Sequence, residues 1–139
     1  MNATDMSNEG YLLMLHTNDW WTEVEREELE KRIAQNNAWL EQVMATGKIK
    51  SGQALARGGA MVSGNGGRNV TDGPFAEAKE VIGGFLVLNV KTLGEAVAIA
   101  QGCPCLAFGG KVEVRPLTNM CPAQMRLEEL ASEEETAVA

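Results

Sequence analysis

Residues 70–80 read VTDGPFAEAKE, and they lead directly into a long apolar segment at residues 81–90. Gly73 can adopt a positive φ without a steric penalty, and Pro74 keeps the residue before it out of the α region. The Asp72 carboxylate can accept hydrogen bonds from the backbone N–H groups that follow it. The sequence therefore predicts a tight turn before a buried strand. Its charged residues either form a solvated connector or line a cleft.

The segments before this turn follow the order strand, helix, strand and hairpin. Residues 10–16 form a nearly continuous apolar run, which is typical of a strand buried on both faces. Thr22 is placed to cap a helix, with Glu25 three residues later as in a capping box. Residues 48–56 have the pattern of a second strand, and the glycine-rich residues 63–67 predict the tip of a hairpin.

One face of this first predicted helix is apolar except at an asparagine position. Its apolar members fall at i, i+4, i+11, i+14 and i+15: Leu29, Ile33, Leu40, Val43 and Met44. Asn36 or Asn37 stands where a further apolar residue is expected. Asn37 is therefore interpreted as either a hydrogen-bonded polar residue of the core or a ligand contact. Trp39 follows the stripe and is expected in the core or at an interface.

The segments after the turn follow the order strand, helix and strand. Residues 81–90 predict a central strand, in which Gly83 and Gly84 indicate a bulge or a close backbone approach. Thr92 caps the second predicted helix, and residues 112–115 form a last short strand. This order predicts an α+β fold, in which one antiparallel sheet is covered on one face by two helices. The domain is expected to span residues 10–117, after a disordered N-terminus at residues 1–9.

Charge and composition exclude several classes of partner. The net charge is −7, of which −4 falls on residues 118–139, an acidic tail with a possible helix at residues 122–132. The remaining −3 leaves the domain mildly acidic, so we expect no nucleic-acid partner and no attraction to an anionic membrane. The sequence contains neither a membrane-spanning apolar run nor an export signal, which predicts a cytoplasmic location.

The three cysteines predict neither a disulfide framework nor a metal site. An odd number of cysteines without an export signal favours free thiols. Cys103 and Cys105 are separated by one residue, which is neither the usual redox spacing nor a zinc knuckle, and His16 is the only histidine. We therefore expect no metal and no other cofactor.

The turn and three further stretches resemble the DGPF group within the YCII-related proteins. Members of that group typically carry TDGPFAETKE, from which this chain departs at Ala78. Residues 10–16, 82–85 and 109–117 resemble the family's other strands. The resemblance implies a ferredoxin-like protomer (β-α-β-β-β-α-β) that pairs into a homodimer, a dimeric α+β barrel. It implies much less about chemistry, since most members have no established activity and a fold does not determine a function.

His16 is the strongest candidate for chemistry. It is placed at the end of a strand with Asp19 nearby, and an imidazole beside a carboxylate is suited to moving protons near neutral pH. The alternative is an exposed or hydrogen-bonded histidine without a catalytic role. Asp72 is predicted to orient His16 or to hold a substrate hydroxyl. The better-studied YCII-type enzymes have their histidine further along the chain, so their histidine–aspartate pair is not transferred.

The candidate ligand-binding residues are charged or aromatic. Arg115 could hold an anionic group through two parallel hydrogen bonds, or it could only pair with Glu77 or Glu80. Lys79 has the same two interpretations. Trp20 and Trp21 follow the first strand and could cover a pocket or a dimer edge. The predicted ligand-binding set is Arg115, Asn37, Lys79 and Glu77.

Two functions remain open at this point. The first is a cofactor-free enzyme of the lyase or proton-transfer type that acts on a small organic acid in a dimer cleft. The family includes dehydrochlorinating activity, which makes this reaction the most concrete expectation. The second is a non-catalytic small-molecule-binding or regulatory dimer, because some DGPF relatives accompany alternative sigma factors. The surroundings of His16 discriminate between them, since an enzyme needs it near a carboxylate in an accessible cleft.

Overall fold

The computed structural model describes residues 9–73 and 80–138 of the chain. The predicted N-terminal segment lies outside this range except for Glu9, and so do Glu77 and Lys79. The described strands and helices, in chain order, are β1 (Tyr11–Thr17), α1 (Arg26–Ala45), β2 (Ile49–Ala54), β3 (Ala60–Ser63), β4 (Asn69–Asp72), β5 (Val81–Leu88), α2 (Leu93–Gln101), β6 (Lys111–Pro116) and α3 (Pro122–Val138). Short 3₁₀ turns cover Trp20–Thr22, Asn65–Gly67 and Pro104–Phe108.

The main sheet has four strands in the order β2-β5-β1-β6, and all neighbouring strands are antiparallel. This order is the one that two interleaved β-α-β units produce, with β1-α1-β2 and β5-α2-β6 as the units. Strands β3 and β4 form a separate two-stranded hairpin. The predicted α+β class and ferredoxin-like protomer are therefore confirmed.

The core lies between one face of this sheet and the helices α1 and α2. Tyr11, Leu13 and Leu88 are fully buried on the two central strands. The side chains that cover them come from both helices, namely Trp39 and Val43 of α1 and Ala96 and Ala100 of α2. The prediction that both helices lie on one face is thus confirmed, and Trp39 is a core residue.

A β-bulge interrupts the pairing of the two central strands. Leu15 pairs with Gly84, but His16 pairs with Ile82, so Gly83 is an extra residue on β5. Gly84 also lies close to the neighbouring strand, because a Cβ atom there would be 2.9 Å from the Gln53 carbonyl oxygen. The two glycines therefore show both predicted features, a bulge at Gly83 and a close backbone approach at Gly84.

The start of helix α1 differs from the prediction. Thr22 belongs to the 3₁₀ turn Trp20–Thr22, and its hydroxyl donates to the Asp19 carbonyl oxygen. Glu25 occupies the N-cap position without a side-chain cap, so the predicted capping box is wrong. The reason is that the tryptophan pair forms its own turn, and helix α1 starts only after it.

The apolar stripe of α1 is only partly buried. Ile33 is 49% exposed and Met44 is 63% exposed, whereas Trp39 and Val43 provide the buried contacts. Asn37 is exposed, so its interpretation as a polar core residue is wrong. A single helix layer on a small sheet buries only the narrow face that points directly at the strands.

The helices predicted after β5 are both present. The Thr92 hydroxyl accepts a hydrogen bond from the Glu95 N–H, which confirms the predicted cap of α2. Helix α3 extends to Val138, beyond the predicted residue 132, and it is exposed at almost every position.

Gly73 is buried and does not adopt a positive φ. Within residues 9–73 and 80–138, no helix combines the length and hydropathy that crossing a bilayer requires.

Candidate active site

His16 is held between two carboxylates. It lies near the end of β1, on the sheet face opposite the helices, because Leu13 and Leu15 point to the helical side. Its Nε2 atom is 2.9 Å from Oε1 of Glu113, and its Nδ1 atom is 3.1 Å from Oε1 of Glu80. The side chain is 23% exposed, so the ring remains accessible from one side.

The strand register explains why these groups meet. In β6, Lys111, Glu113 and Arg115 alternate with the valines that face the core, and β6 pairs with β1 so that Lys111 is opposite His16. Glu113 is therefore one pair further along the same face, within reach of the imidazole. Glu80 directly precedes β5, the neighbour of β1 on the other side.

Two cations complete the arrangement. Lys111 Nζ is 3.2 Å from Oε2 of Glu80, and an Arg115 guanidinium nitrogen is 3.2 Å from Oε2 of Glu113. These five residues form an alternating series of charges that we call the His16 network: Lys111, Glu80, His16, Glu113 and Arg115. A protonated imidazole can donate hydrogen bonds to both carboxylates, whereas a neutral one can donate only to one of them. Both ring nitrogens of His16 are therefore within hydrogen-bond distance of a carboxylate.

The contacts of Glu113 affect its own protonation. The hydrogen bond with His16, followed by the one from Arg115, holds the pKa of the Glu113 carboxyl below its ordinary value of 4.5. The carboxylate therefore stays ionised at acidic pH, and it remains available as a hydrogen-bond acceptor for His16.

A cleft of about 1020 Å³ opens beside His16. It lies where β1 ends and β5 begins, and its walls also include helix α1, the segment before β3 and the 3₁₀ turn Pro104–Phe108. The lining is mainly apolar and includes Trp20, Trp21 and Phe108. His16 and Glu80 both line this cleft, so a ligand inside it can reach the imidazole.

The YCII-related domain matches residues 11–121, which is most of the chain. The chain belongs to the YCII-related domain family. A search of curated proteins found no match.

In this YCII-related domain, several predicted site residues lie away from His16. Asp72 is exposed on β4, and its side chain makes no hydrogen bond or ion pair with any described residue. Asp19 accepts a hydrogen bond from Arg57 at 3.1 Å instead of contacting His16. The carboxylates that contact the imidazole are Glu80 and Glu113, not Asp72.

The predicted ligand-binding residues are also dispersed. Arg115 contacts Glu113 on the open face of the sheet and does not line the cleft. Asn37 does not line the cleft, whereas its neighbour Asn36 does. The predictions for Glu77 and Lys79 lie outside the described residues. Trp20 and Trp21 line the cleft as expected.

Sequence reasoning missed Glu113 as a site residue, and it considered Glu80 as a charge that could line a cleft or pair with Arg115, not as a partner of His16. A signal for Glu113 was present, because Lys111, Glu113 and Arg115 alternate with Val112 and Val114 and so share one face of β6. Pairing that face with β1 would have placed it beside His16. The register itself was not readable from the sequence.

A pair of thiols lies at the edge of the same cleft. The Sγ atoms of Cys103 and Cys105 are 3.1 Å apart, with Cys103 buried and Cys105 lining the cleft. A hydrogen bond from Cys105 lowers the pKa of Cys103 to about 7, against an opposing effect of burial. Because Cys105 supplies that proton, its own pKa is raised. Both cysteines are free, as predicted, and no group of residues in the described part of the chain has the composition of a metal site.

We predict that Glu113→Gln removes a stabilising contribution that depends on pH. Because the pKa of Glu113 is lowered in the folded state, its stabilising effect is complete above about pH 4.5 and is lost as the pH falls through the folded-state pKa. Thermal unfolding should show a lower midpoint for the variant near neutral pH and a narrowing difference below about pH 4.5. Glu30→Gln, which removes one carboxylate from an exposed ion pair with Arg26, is the control. A difference that stays constant with pH would contradict the prediction.

We also predict that Cys105→Ala shifts the ionisation of Cys103 to higher pH. The variant removes the hydrogen bond that stabilises the thiolate, while burial continues to favour the neutral thiol. The ultraviolet absorbance of the thiolate, measured against pH in a Cys121→Ser background, reports this shift. The converse variant Cys103→Ala should lower the pKa of Cys105. Unchanged titration curves in both variants would exclude the thiol–thiol contact.

Proposed function

We propose that this YCII-related protein, as a member of the DGPF group, is a cofactor-free proton-transfer enzyme of the lyase type that acts on a small organic acid. The observation that supports this most strongly is the position of His16. Its ring contacts two carboxylates at 2.9 Å and 3.1 Å and lines an accessible cleft. A histidine in such surroundings is suited to general acid–base catalysis.

The proposed reaction starts from the neutral imidazole. Its Nε2–H donates to Glu113, so the lone pair of Nδ1 can accept a proton from a substrate carbon that takes the place of the Glu80 carboxylate beside it. The electron pair of the broken C–H bond forms a C=C bond, and the leaving group departs as an anion with its own bonding pair. Glu80 and Glu113 then stabilise the imidazolium, and Glu80 can pass the Nδ1 proton to water.

The cations of the His16 network support this cycle. Lys111 and Arg115 each contact the second oxygen of one of the two carboxylates. Arg115 helps to keep Glu113 ionised, and Lys111 offsets the charge of the Glu80 carboxylate, so that both groups are placed to stabilise the imidazolium.

We further propose that the protein acts as a homodimer in the form of an α+β barrel. The sheet face opposite the helices has half-buried apolar side chains without a covering layer among the described elements: Leu12, Met14, Phe85 and Val87. The β3–β4 hairpin exposes Met61, Val62 and Val70. A second copy packed on this face would cover those side chains and would close the open side of the His16 network.

A non-catalytic dimer that binds a small molecule or has a regulatory, sigma-factor-associated role is the second candidate. The observation that favours it is the mainly apolar lining of a cleft of about 1020 Å³, which is sufficient for binding without any reaction. In that case His16 and its carboxylates would contribute only to stability and ligand contact.

Replacement of His16 tests the proposed reaction. We expect His16→Ala to reduce turnover by at least about 100-fold, since positioned general acid–base groups contribute effects of this size. Chloride release from a panel of small chlorinated organic acids measures turnover, and ligand-detected NMR measures binding. Glu30→Gln, which changes an exposed carboxylate of helix α1 outside the cleft lining, is the control. Unchanged turnover in His16→Ala would overturn the proposal, whereas binding without turnover in the wild type would favour the second candidate.

Replacement of an apolar residue on the open sheet face tests the homodimer. We expect the wild type to sediment as a dimer and Phe85→Asp to sediment as a monomer, because a carboxylate cannot be buried there without a partner. Val62→Asp in the exposed hairpin provides a second variant that leaves the sheet intact. Leu127→Asp, on the exposed helix α3, is the control. A monomeric wild type would refute this part of the proposal.

A further inference from the structure

Arg32 is an unusual feature of the cleft wall. It lies on helix α1, which otherwise presents mostly exposed positions, but its own side chain is only 21% exposed. The guanidinium carbon is 4.3 Å from the ring centroid of Phe108 and 5.1 Å from that of Trp20. These two rings are themselves in contact, with centroids 5.4 Å apart. The guanidinium is therefore held in place by stacking against two aromatic side chains.

The hydrogen bonding of Arg32 fixes its orientation. Its Nε atom donates to Oε1 of Glu28, one helical turn earlier, at 2.9 Å. The two terminal nitrogens have no hydrogen-bond partner among residues 9–73 and 80–138. A guanidinium held through Nε and through its faces presents its terminal N–H groups as a fork, which matches the two oxygens of a carboxylate.

The other charges near the cleft are already engaged. Arg57 uses one of its terminal nitrogens for Asp19 at 3.1 Å. Glu80 contacts both His16 and Lys111. Among the cations of the described cleft wall, Arg32 is therefore the one whose two terminal nitrogens make no hydrogen bond. Glu28 partly neutralises its charge but does not line the cleft.

We infer that Arg32 binds the carboxylate of an aromatic organic acid whose ring packs against the aromatic and apolar lining of the cleft. Trp21 extends the aromatic wall beyond Trp20, since their rings meet edge to face at 5.8 Å. Ile33 and Met61 supply apolar surface on the same cleft. This inference deepens the proposed function by naming the ligand class of the cleft that contains His16, but it concerns binding and does not require turnover.

The test compares two ligands of the same shape and different charge. Benzoate carries the carboxylate and has no leaving group, so the wild-type protein can be used without turnover, and benzamide replaces the charge with a neutral amide. NMR titration of the tryptophan indole signals gives the dissociation constants. We expect benzoate to bind at least about tenfold more tightly than benzamide, because charge-assisted hydrogen bonds are stronger than neutral ones.

The variants assign this preference to Arg32. Arg32→Met should weaken benzoate binding at least about tenfold and leave benzamide binding nearly unchanged. Arg32→Lys retains the charge without the planar fork and should show an intermediate loss. Arg26→Met is the matched control, because Arg26 makes the same Nε contact to a glutamate four residues away at 2.9 Å, but it is 92% exposed.

Each outcome is decisive. Absence of benzoate binding to the wild type, equal affinity for benzoate and benzamide, or an equal loss in Arg26→Met would overturn the inference. If Arg32→Met fails to fold, Arg32→Lys decides, and an affinity for benzoate equal to that of the wild type counts against the assignment. A preserved benzoate preference in a protein that shows no turnover would contradict only the proposed enzymatic function.

Discussion

The antiparallel register of β1 between β5 and β6 is the constraint on which the rest of the structure depends. One set of side chains on β1 is buried under the helices, and the alternate set faces the other way. Tyr11 and Leu13 belong to the buried set, while Met14 and His16 belong to the other. The same pairing that builds the core therefore also brings charged residues from two different strands to the imidazole. Core and site cannot be altered independently.

The His16 network is a weak source of stability. Its members are partly exposed, and ion pairs in such positions contribute little to the free energy of unfolding. The two carboxylates instead lie within hydrogen-bond distance of both ring nitrogens of His16. The flanking cations limit the repulsion between those carboxylates.

Local signals were sufficient to predict the elements of this fold. Continuous apolar runs identified β1 and β5, the Thr92 cap identified the start of α2, and the position of Trp39 on a helical stripe identified a core residue. The capping box at Thr22 failed because two consecutive tryptophans form a competing turn. Such a turn depends on the contact of Trp20 with Phe108, which is far away in the sequence.

The site was harder to predict because its contacts are long-range. His16 and Glu113 are 97 residues apart, and only the strand register brings them together. Proximity in the sequence favoured Asp19, and the turn motif at residues 70–80 favoured Asp72, but the fold directs both elsewhere. Arg32 gave no signal either, since a charged residue on a helix is usually solvated, and only the packing of Trp20 and Phe108 around it distinguishes it from Arg26.

The β-bulge at Gly83 also determines on which face of the sheet Glu80 lies. Because the extra residue reverses the alternation of side chains beyond it, Glu80 emerges on the face of His16, whereas in an unbroken strand it would face the helices. The site therefore depends on how many residues separate Glu80 from Phe85, and a change in that number would separate acid from base without altering either one.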